Sequence, residues 1–273
     1  MNYRHAFHAG NFADGMKHAL LVWLLRAMQR KPAGVFVLDT HAGAGRTDLS
    51  AGPTERTGEW RAGIGRLLDD PPPALADYVG LVRDCGLYPG SPVLAEALLR
   101  PQDRLACCEL HPEEHAALRA VMAGGGAAVH RRDAWEALGA LLPPPAGLRR
   151  ALVLIDPPYE AADEFSRLAA GLLRGHARFP TGVFAAWYPV KHRAPVRAFH
   201  TAMRESGIAD IMAAELWLRE PLDPARLNGS GLLVVNPPFG FEAAAQGLLA
   251  ALLGRLGTGE AGQGIAVERI ADE

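Results

Sequence analysis

Short apolar runs that end on or near a carboxylate constrain this chain more than any other feature. Val35–Asp39, Arg104–Glu109 and Ala151–Asp156 each close on an acid, Ala127–His130 is followed by Asp133, and Val183–Trp187 is a fifth run of the same kind. Their apolar residues are continuous rather than alternating, which suits strands covered on both faces. Helix signals fall between them. Pro112 can sit at a first helical position, Asp133 with Glu136 resembles a capping box, and Pro195 can open a helix that Gly207 closes. Ile208–Leu218 and Gly231–Asn236 read as two more strands, antiparallel to each other. The pattern predicts an α/β fold around a mostly parallel, seven-stranded sheet. With 49% hydrophobic residues in 273, the chain has material for a sizeable core, which excludes disordered and collagen-like classes.

One spacing is abnormal. In a nucleotide-binding βαβ unit the acid closing the second strand lies about 20 residues past the Gly-rich turn, whereas Glu109 lies 64 positions after Gly45. The intervening chain has helical patterns of its own around Trp60, Ile64 and Leu67, and again around Leu75, Tyr78 and Val82. Residues 47–90 are therefore expected to be a helical insertion, after which Ser91-Pro92 starts the helix that the turn would normally feed directly. No apolar run approaches the roughly 18 residues of a bilayer span. The first residues lack a signal peptide's basic start and apolar centre, and Cys85, Cys107 and Cys108 cannot form a disulfide framework. A cytoplasmic protein without membrane contact is the expectation.

The sharpest chemical signal is Asp156-Pro157-Pro158-Tyr159 directly after an apolar strand. Two prolines stiffen the backbone and remove two N–H donors, leaving carbonyls in fixed directions. A carboxylate, a rigid carbonyl and an aromatic ring form a socket for a planar ring bearing an amine, with Asp156 and the Pro157 carbonyl accepting both N6 hydrogens of an adenine stacked on Tyr159. A second such tetrapeptide, Asn236-Pro237-Pro238-Phe239, follows a later strand. A neutral amide is a weaker acceptor, and Asp156 closes a strand near the sheet centre, so Asn236 is expected to be a turn or a wall of the pocket.

Asp39-Thr40-His41-Ala42-Gly43-Ala44-Gly45 is the second signal. Small residues let backbone approach a ligand, but the dinucleotide pattern Gly-x-Gly-x-x-Gly is not completed, and the insertion removes the helix N-terminus that would hold a pyrophosphate. A cofactor without phosphates, S-adenosylmethionine among them, is preferred over nicotinamide dinucleotides. Glu109 could accept both ribose hydroxyls or simply solvate a strand end; Asp133 could accept from the cofactor's adenine amine or cap a helix.

Tyr3-Arg4-His5-Ala6-Phe7-His8-Ala9-Gly10-Asn11, Lys17-His18, Leu38–Arg46, Glu55-Arg56-Thr57-Gly58-Glu59, Tyr88-Pro89-Gly90-Ser91-Pro92, Glu109-Leu110-His111-Pro112, Leu154–Tyr159 and Trp187-Tyr188-Pro189 together resemble the ribosomal large subunit methyltransferase J family, the bacterial 23S rRNA adenine-N6 methyltransferases. The resemblance implies a Rossmann-like methyltransferase domain (1–46 and 91–273, with 1–32 as N-terminal tail and helix) interrupted by the small helical insertion. It implies a cofactor pocket taking Lys17 or His18, His41, Gly43, Ser91, Glu109, Asp133, Ala134 and Asp156, with Asp156 catalytic beside Pro157 and Tyr159, and Tyr3 touching the RNA. Where the family has glycine after the third-strand acid, this chain has Ala134. Lys17 and His18 also read as the solvated end of an amphipathic segment, His41 as structural, and Ser91 as a helix N-cap. No role is assigned to the last 20 residues.

With 28 basic against 30 acidic side chains, the formal net charge is −2, so RNA binding needs a local basic surface. Two acid-free windows exist: 1–13, with Arg4, His5 and His8, and 188–200, with Lys191, His192, Arg193, Arg197 and His200. His5, Lys191 and Arg193 are candidate RNA contacts, the bland alternative being a solvated helix face. The histidines and cysteines lack metal-ligand spacing, so no metal is expected. The expected partner is protein-free or partly assembled 23S rRNA, met by a monomer. The rivals are a DNA adenine-N6 methyltransferase and a non-catalytic RNA-binding protein on the same fold.

Overall fold

The computed structural model describes residues 8–272. Helix α1 (Phe12–Gln29) precedes strand β1 (Phe36–Asp39) and the short strand β2 (Arg46–Thr47). Then come α2 (Gly52–Thr57), α3 (Glu59–Ala62), α4 (Ile64–Asp69), a 3₁₀ turn at Pro73–Leu75 and α5 (Ala76–Asp84), closed by the short strand β3 (Tyr88–Pro89). The rest alternates: α6 (Ser91–Leu98), β4 (Arg104–Cys108), α7 (Pro112–Val121), β5 (Ala128–His130), α8 (Ala134–Ala140), β6 (Ala151–Ile155), α9 (Glu164–Arg178), β7 (Val183–Val190) and α10 (Arg193–Arg204). It ends with β8 (Ile211–Trp217), β9 (Gly229–Val235), α11 (Phe241–Leu256) and β10 (Gly264–Ala271).

The main sheet has the order β10-β8-β9-β7-β6-β1-β4-β5. Pairing is parallel from β7 to β5 and antiparallel among β7, β9, β8 and β10. Eight strands stand where seven were expected. The eighth is β10, in the segment left without a role: it pairs antiparallel with β8 and closes an edge. Most of its residues are part-exposed, so it lacks the continuous apolar run that marks the inner strands.

Both faces of the sheet are covered, which explains those runs. Val37, Leu105, Leu152 and Leu154 point into one core with Leu20 and Leu24 of α1, Leu94 of α6 and Leu249 of α11. Leu38, Ala106, Val153 and Ile155 point into the other, against Leu138 of α8, Leu168 and Leu172 of α9 and Phe199 of α10. The ends of the 47–90 segment lie side by side, β2 pairing antiparallel with β3, and its Ile64, Leu67, Tyr78 and Val82 join the first core. The segment is thus built onto α1 and α11 rather than around a core of its own.

Strand β1 lies between β4 and β6, where the order reverses, so the carboxyl ends of these three strands open on the crevice where α/β sheets bind ligands. Asp156 sits there. Asn236 follows β9, which runs antiparallel to β7, and therefore emerges at the opposite end of the sheet. It is a turn residue with φ 51°, its amide donating to the Pro180 and Gly182 carbonyls, while Phe239 is 97% exposed. Of the two double-proline corners, only that of Asp156 faces the crevice.

Candidate active site

A cavity of about 900 Å³ opens at this crevice. It is reached by the Gly-rich turn after β1, the Glu109 end of β4, the Asp133 loop, the Asp156 corner and α1. Thr40 fixes the turn, its backbone N–H and its hydroxyl both donating to the Leu154 carbonyl. Gly43 has φ +59°, and a Cβ there would meet no atom within 4 Å. A side chain at that point would occupy the cavity instead, so the turn is a backbone-lined cradle.

Glu109 is buried, its Oε2 accepting from Gly43 N at 3.0 Å and its Oε1 from His111 N at 2.7 Å. Burial pushes its carboxyl above the ordinary range against those amide bonds. It is more than a solvated strand end: it ties the Gly-rich turn to β4, and each oxygen has a second lone pair for a ligand hydroxyl. Asp133 caps α8, both cap bonds (from Trp135 N and Glu136 N) ending on Oδ1. Ala134 is the first residue of α8, not a positive-φ position, so alanine stands there without strain and its backbone N–H lies among the unpaired donors of a helix start.

Lys17 is 4% exposed and is no solvated helix end. Its ammonium donates to Asp14 Oδ1 at 2.9 Å and to Asp156 Oδ2 at 2.5 Å. Burial works against this charge, yet the two carboxylates outweigh it and hold the Lys17 pKa above the usual lysine range. His18 is buried with its Nδ1 3.1 Å from the Tyr88 hydroxyl, which in turn meets Tyr78. Ser91 is not the N-cap; Gly90 is, and the Ser91 hydroxyl donates to Asp39 Oδ2 at 2.6 Å. Burial pushes Asp39 up to about 6, opposed by that bond and reinforced by the charge of Asp156.

His41 lies beside the catalytic candidate. Its Nδ1 lies 3.2 Å from the Asp156 backbone nitrogen and 2.9 Å from the Thr40 hydroxyl oxygen, so the ring is fixed between the Gly-rich turn and the Asp156 corner. Burial, together with the charges of Arg167 and Lys17, pulls its pKa down to about 3. A histidine kept neutral stabilises the fold above the unfolded value of about 6.5 and loses that contribution as pH falls. Asp39 titrates with the opposite sign over part of this range, so the comparison must cancel it. The stability of the wild type relative to His41→Gln is expected to fall by about 1–2 kcal/mol between pH 7 and pH 5, read by urea unfolding at each pH.

Pro157 is buried, and Tyr159 holds a strained φ of 53° with its hydroxyl donating to the Trp187 carbonyl. Its ring stands edge-on to Phe165 and Trp187 at 5.1 and 5.6 Å between centroids. Lys191 lines the cavity mouth with Arg46, Arg132 and Arg167. Arg193 does not: its guanidinium lies over Trp217, 4.3 Å from the ring centroid. Tyr3 and His5 fall outside the described residues. Sequence reasoning gave no individual role to Asp14, Asp39, Trp135 or Trp187; Asp39 was marked only as the acid closing a strand, Trp187 only as part of the family resemblance, and Asp14 could have been found from its i,i+3 spacing to Lys17. Among the described residues no cluster of three or more metal-ligating side chains occurs, and no helix is long and apolar enough to cross a membrane.

The profile of the family described as Ribosomal RNA large subunit methyltransferase D, RlmJ, matches residues 32–268. The Ribosomal RNA large subunit methyltransferase J of Escherichia coli K12 is 38% identical over 273 residues, covering 96% of this chain and 97% of that protein. Its namesake in Haemophilus influenzae is 39% identical over 252 residues, 89% of each chain. Among solved structures, protein LPL1258 of Legionella pneumophila superposes with a TM-score of 0.87 at 33% identity, over 96% of this chain and 98% of that one.

Proposed function

The chain belongs to the ribosomal RNA large subunit methyltransferase J family, and on that premise we propose that it transfers a methyl group from S-adenosylmethionine to N6 of one adenine in 23S rRNA. The observation that carries the reading is the shared cavity: the Asp156-Pro157-Pro158-Tyr159 corner, the Gly43 cradle and Glu109 all open on it. When bound, S-adenosylmethionine supplies a methyl group on a cationic sulfur, which a nitrogen lone pair can displace. The residues present fit such a group. Glu109 would offer lone pairs to ribose hydroxyls, Asp133 and the Ala134 N–H would meet an adenine edge, and a ring N–H of His41 and the His18 region would suit a carboxylate.

The protein's own task is to make N6 a nucleophile. That nitrogen's lone pair is delocalised into the adenine ring. Asp156 and the Pro157 carbonyl accept its two hydrogens, favouring a pyramidal nitrogen, and Tyr159 fixes the plane of the flipped base. Because Lys17 holds Asp156 at Oδ2, Oδ1 is the oxygen turned to the amine. After transfer, N6 gives up one proton to Asp156 or water, so no separate base is required before attack. A flipped base must reach a recessed cavity, which favours protein-free or partly assembled RNA as substrate.

The test is transfer of labelled methyl to large-subunit RNA fragments against duplex DNA, with digestion of the product. Label in N6-methyladenosine from RNA is expected; label confined to DNA would replace the reading with its nearest rival. Lys191→Ala is expected to weaken RNA binding across sequences and to lower the slope of log K against log salt by about one, measured from low to moderate salt.

A further inference from the structure

A second, shallower depression of about 240 Å³ lies between α8 and α9. Among the described residues it is lined by Trp135, Arg167, Ala170, Gly171 and Arg174, two cations and no acid. Trp135 and Arg167 also line the cavity that opens on Asp156, so groove and cavity are continuous. Arg167 and Arg174 stand at i and i+7 on α9, on one face of the helix and about 10 Å apart along its axis.

The floor of the groove is a built feature. A Cβ on Gly171 would overlap Cζ3 of the Trp135 ring, so only glycine lets the indole lie against α9. The Arg167 guanidinium stands 5.5 Å from the ring centroid, and His41 meets the ring edge-on at 5.7 Å. Arg174 Nη1 donates to the Trp135 carbonyl at 3.3 Å, and Arg167 Nη1 pairs with Glu164 Oε1 at 3.3 Å. A guanidinium has five N–H donors, more than these contacts use.

We propose that this groove docks the RNA strand beside the flipped adenine, with phosphates on Arg167 and Arg174 and a sugar or base over Trp135 and Ala170. The proposal rests on the reading of the cavity as the seat of an RNA adenine. Its chemistry favours a nucleic acid over other occupants. Cations around an aromatic floor suit a single strand, whose charge and flat bases alternate along the chain. Arginine forks match phosphate oxygens two at a time, whereas an apolar peptide would bury both charges without an anion. Continuity with the cavity puts the neighbours of an inserted base next to the groove.

The experiment measures RNA binding and methyl transfer by the full chain as wild type, Arg174→Ala, Arg174→Lys and Ala170→Glu, with S-adenosylhomocysteine affinity for each. Arg174 is the sharper probe because it lines the groove and not the cavity. Arg174→Ala is expected to weaken binding of a long large-subunit RNA fragment about 3- to 10-fold at low salt, and to lower the slope of log K against log salt by about one. Arg174→Lys keeps the charge and should keep the slope. In every variant kcat at saturating RNA and S-adenosylhomocysteine affinity should stay within about twofold of wild type. Ala170 is exposed and helical, so Ala170→Glu removes no hydrogen bond, sets a carboxylate between the cations and should weaken RNA binding at least as much. It carries the test if Arg174→Ala fails to fold.

A direct contact also has a place along the RNA. On fragments shortened stepwise from either end, the Arg174→Ala effect should vanish at one truncation point, on one side of the target only. An effect that persists on the shortest fragment overturns the proposal, as does wild-type RNA affinity in Ala170→Glu. A loss of S-adenosylhomocysteine affinity in place of RNA affinity also overturns it and makes Arg174 a support of Trp135 and His41. Wild-type protein that methylates DNA but not RNA overturns the underlying reading, and this proposal with it. Normal RNA methylation by the wild type beside unaltered groove variants overturns this proposal alone.

Discussion

Asp156→Ala is expected to lower single-turnover methyl transfer by on the order of a thousandfold or more, while S-adenosylhomocysteine affinity stays within a few-fold of wild type. The carboxylate is one of two acceptors aimed at the amine, and nothing else at the corner can replace it: the Pro157 carbonyl is the other, and both prolines lack an N–H. Folding should survive, because Lys17 keeps its bond to Asp14 when Asp156 is removed. Asp156→Asn separates charge from geometry. It retains one acceptor oxygen in place and should fall between alanine and wild type. Turnover at the wild-type rate in the alanine variant would remove Asp156 from the mechanism.

The second large effect concerns the cation beneath that corner. Lys17→Met leaves Asp14, 4% exposed, and the partly buried Asp156 without their common partner. Removing one member of a buried ion pair typically costs about 3–5 kcal/mol, much of it the uncompensated charge left behind. The variant is expected to lose stability on that scale in urea unfolding and to lose most transfer activity. Adding Asp14→Asn should restore much of the stability by neutralising one stranded carboxylate, without restoring transfer, since Asp156 still lacks its anchor. Full activity in Lys17→Met would show that the ion pair does not orient Asp156.

The parallel half of the sheet was legible because burial on both faces forces continuous apolar runs, and the acids closing β1, β4 and β6 stand where such a sheet must bind ligands. The same logic separated Asp156 from Asn236. Both follow strands into double prolines, but β9 runs antiparallel to β7 and carries Asn236 to the far end. What stayed hidden was tertiary. Nothing local says that Lys17 turns inward to a carboxylate 139 positions away, or that Ser91 gives its hydroxyl to Asp39 instead of capping α6. Nor does the acid-free window around Arg193 say that its guanidinium lies over the ring of Trp217, at the far end of β8. Strand β10 escaped notice because an edge strand is half wet and need not be apolar.

A crystal of the protein with S-adenosylhomocysteine tests the central claim most directly. The account predicts the compound in the crevice cavity, its ribose at Glu109, its adenine beside Asp133 and Ala134, and its sulfur facing the space between Asp156 and the Pro157 carbonyl. The compound bound instead in the shallow groove of Trp135, Ala170 and Arg174, or anywhere with its sulfur turned from that space, would contradict it.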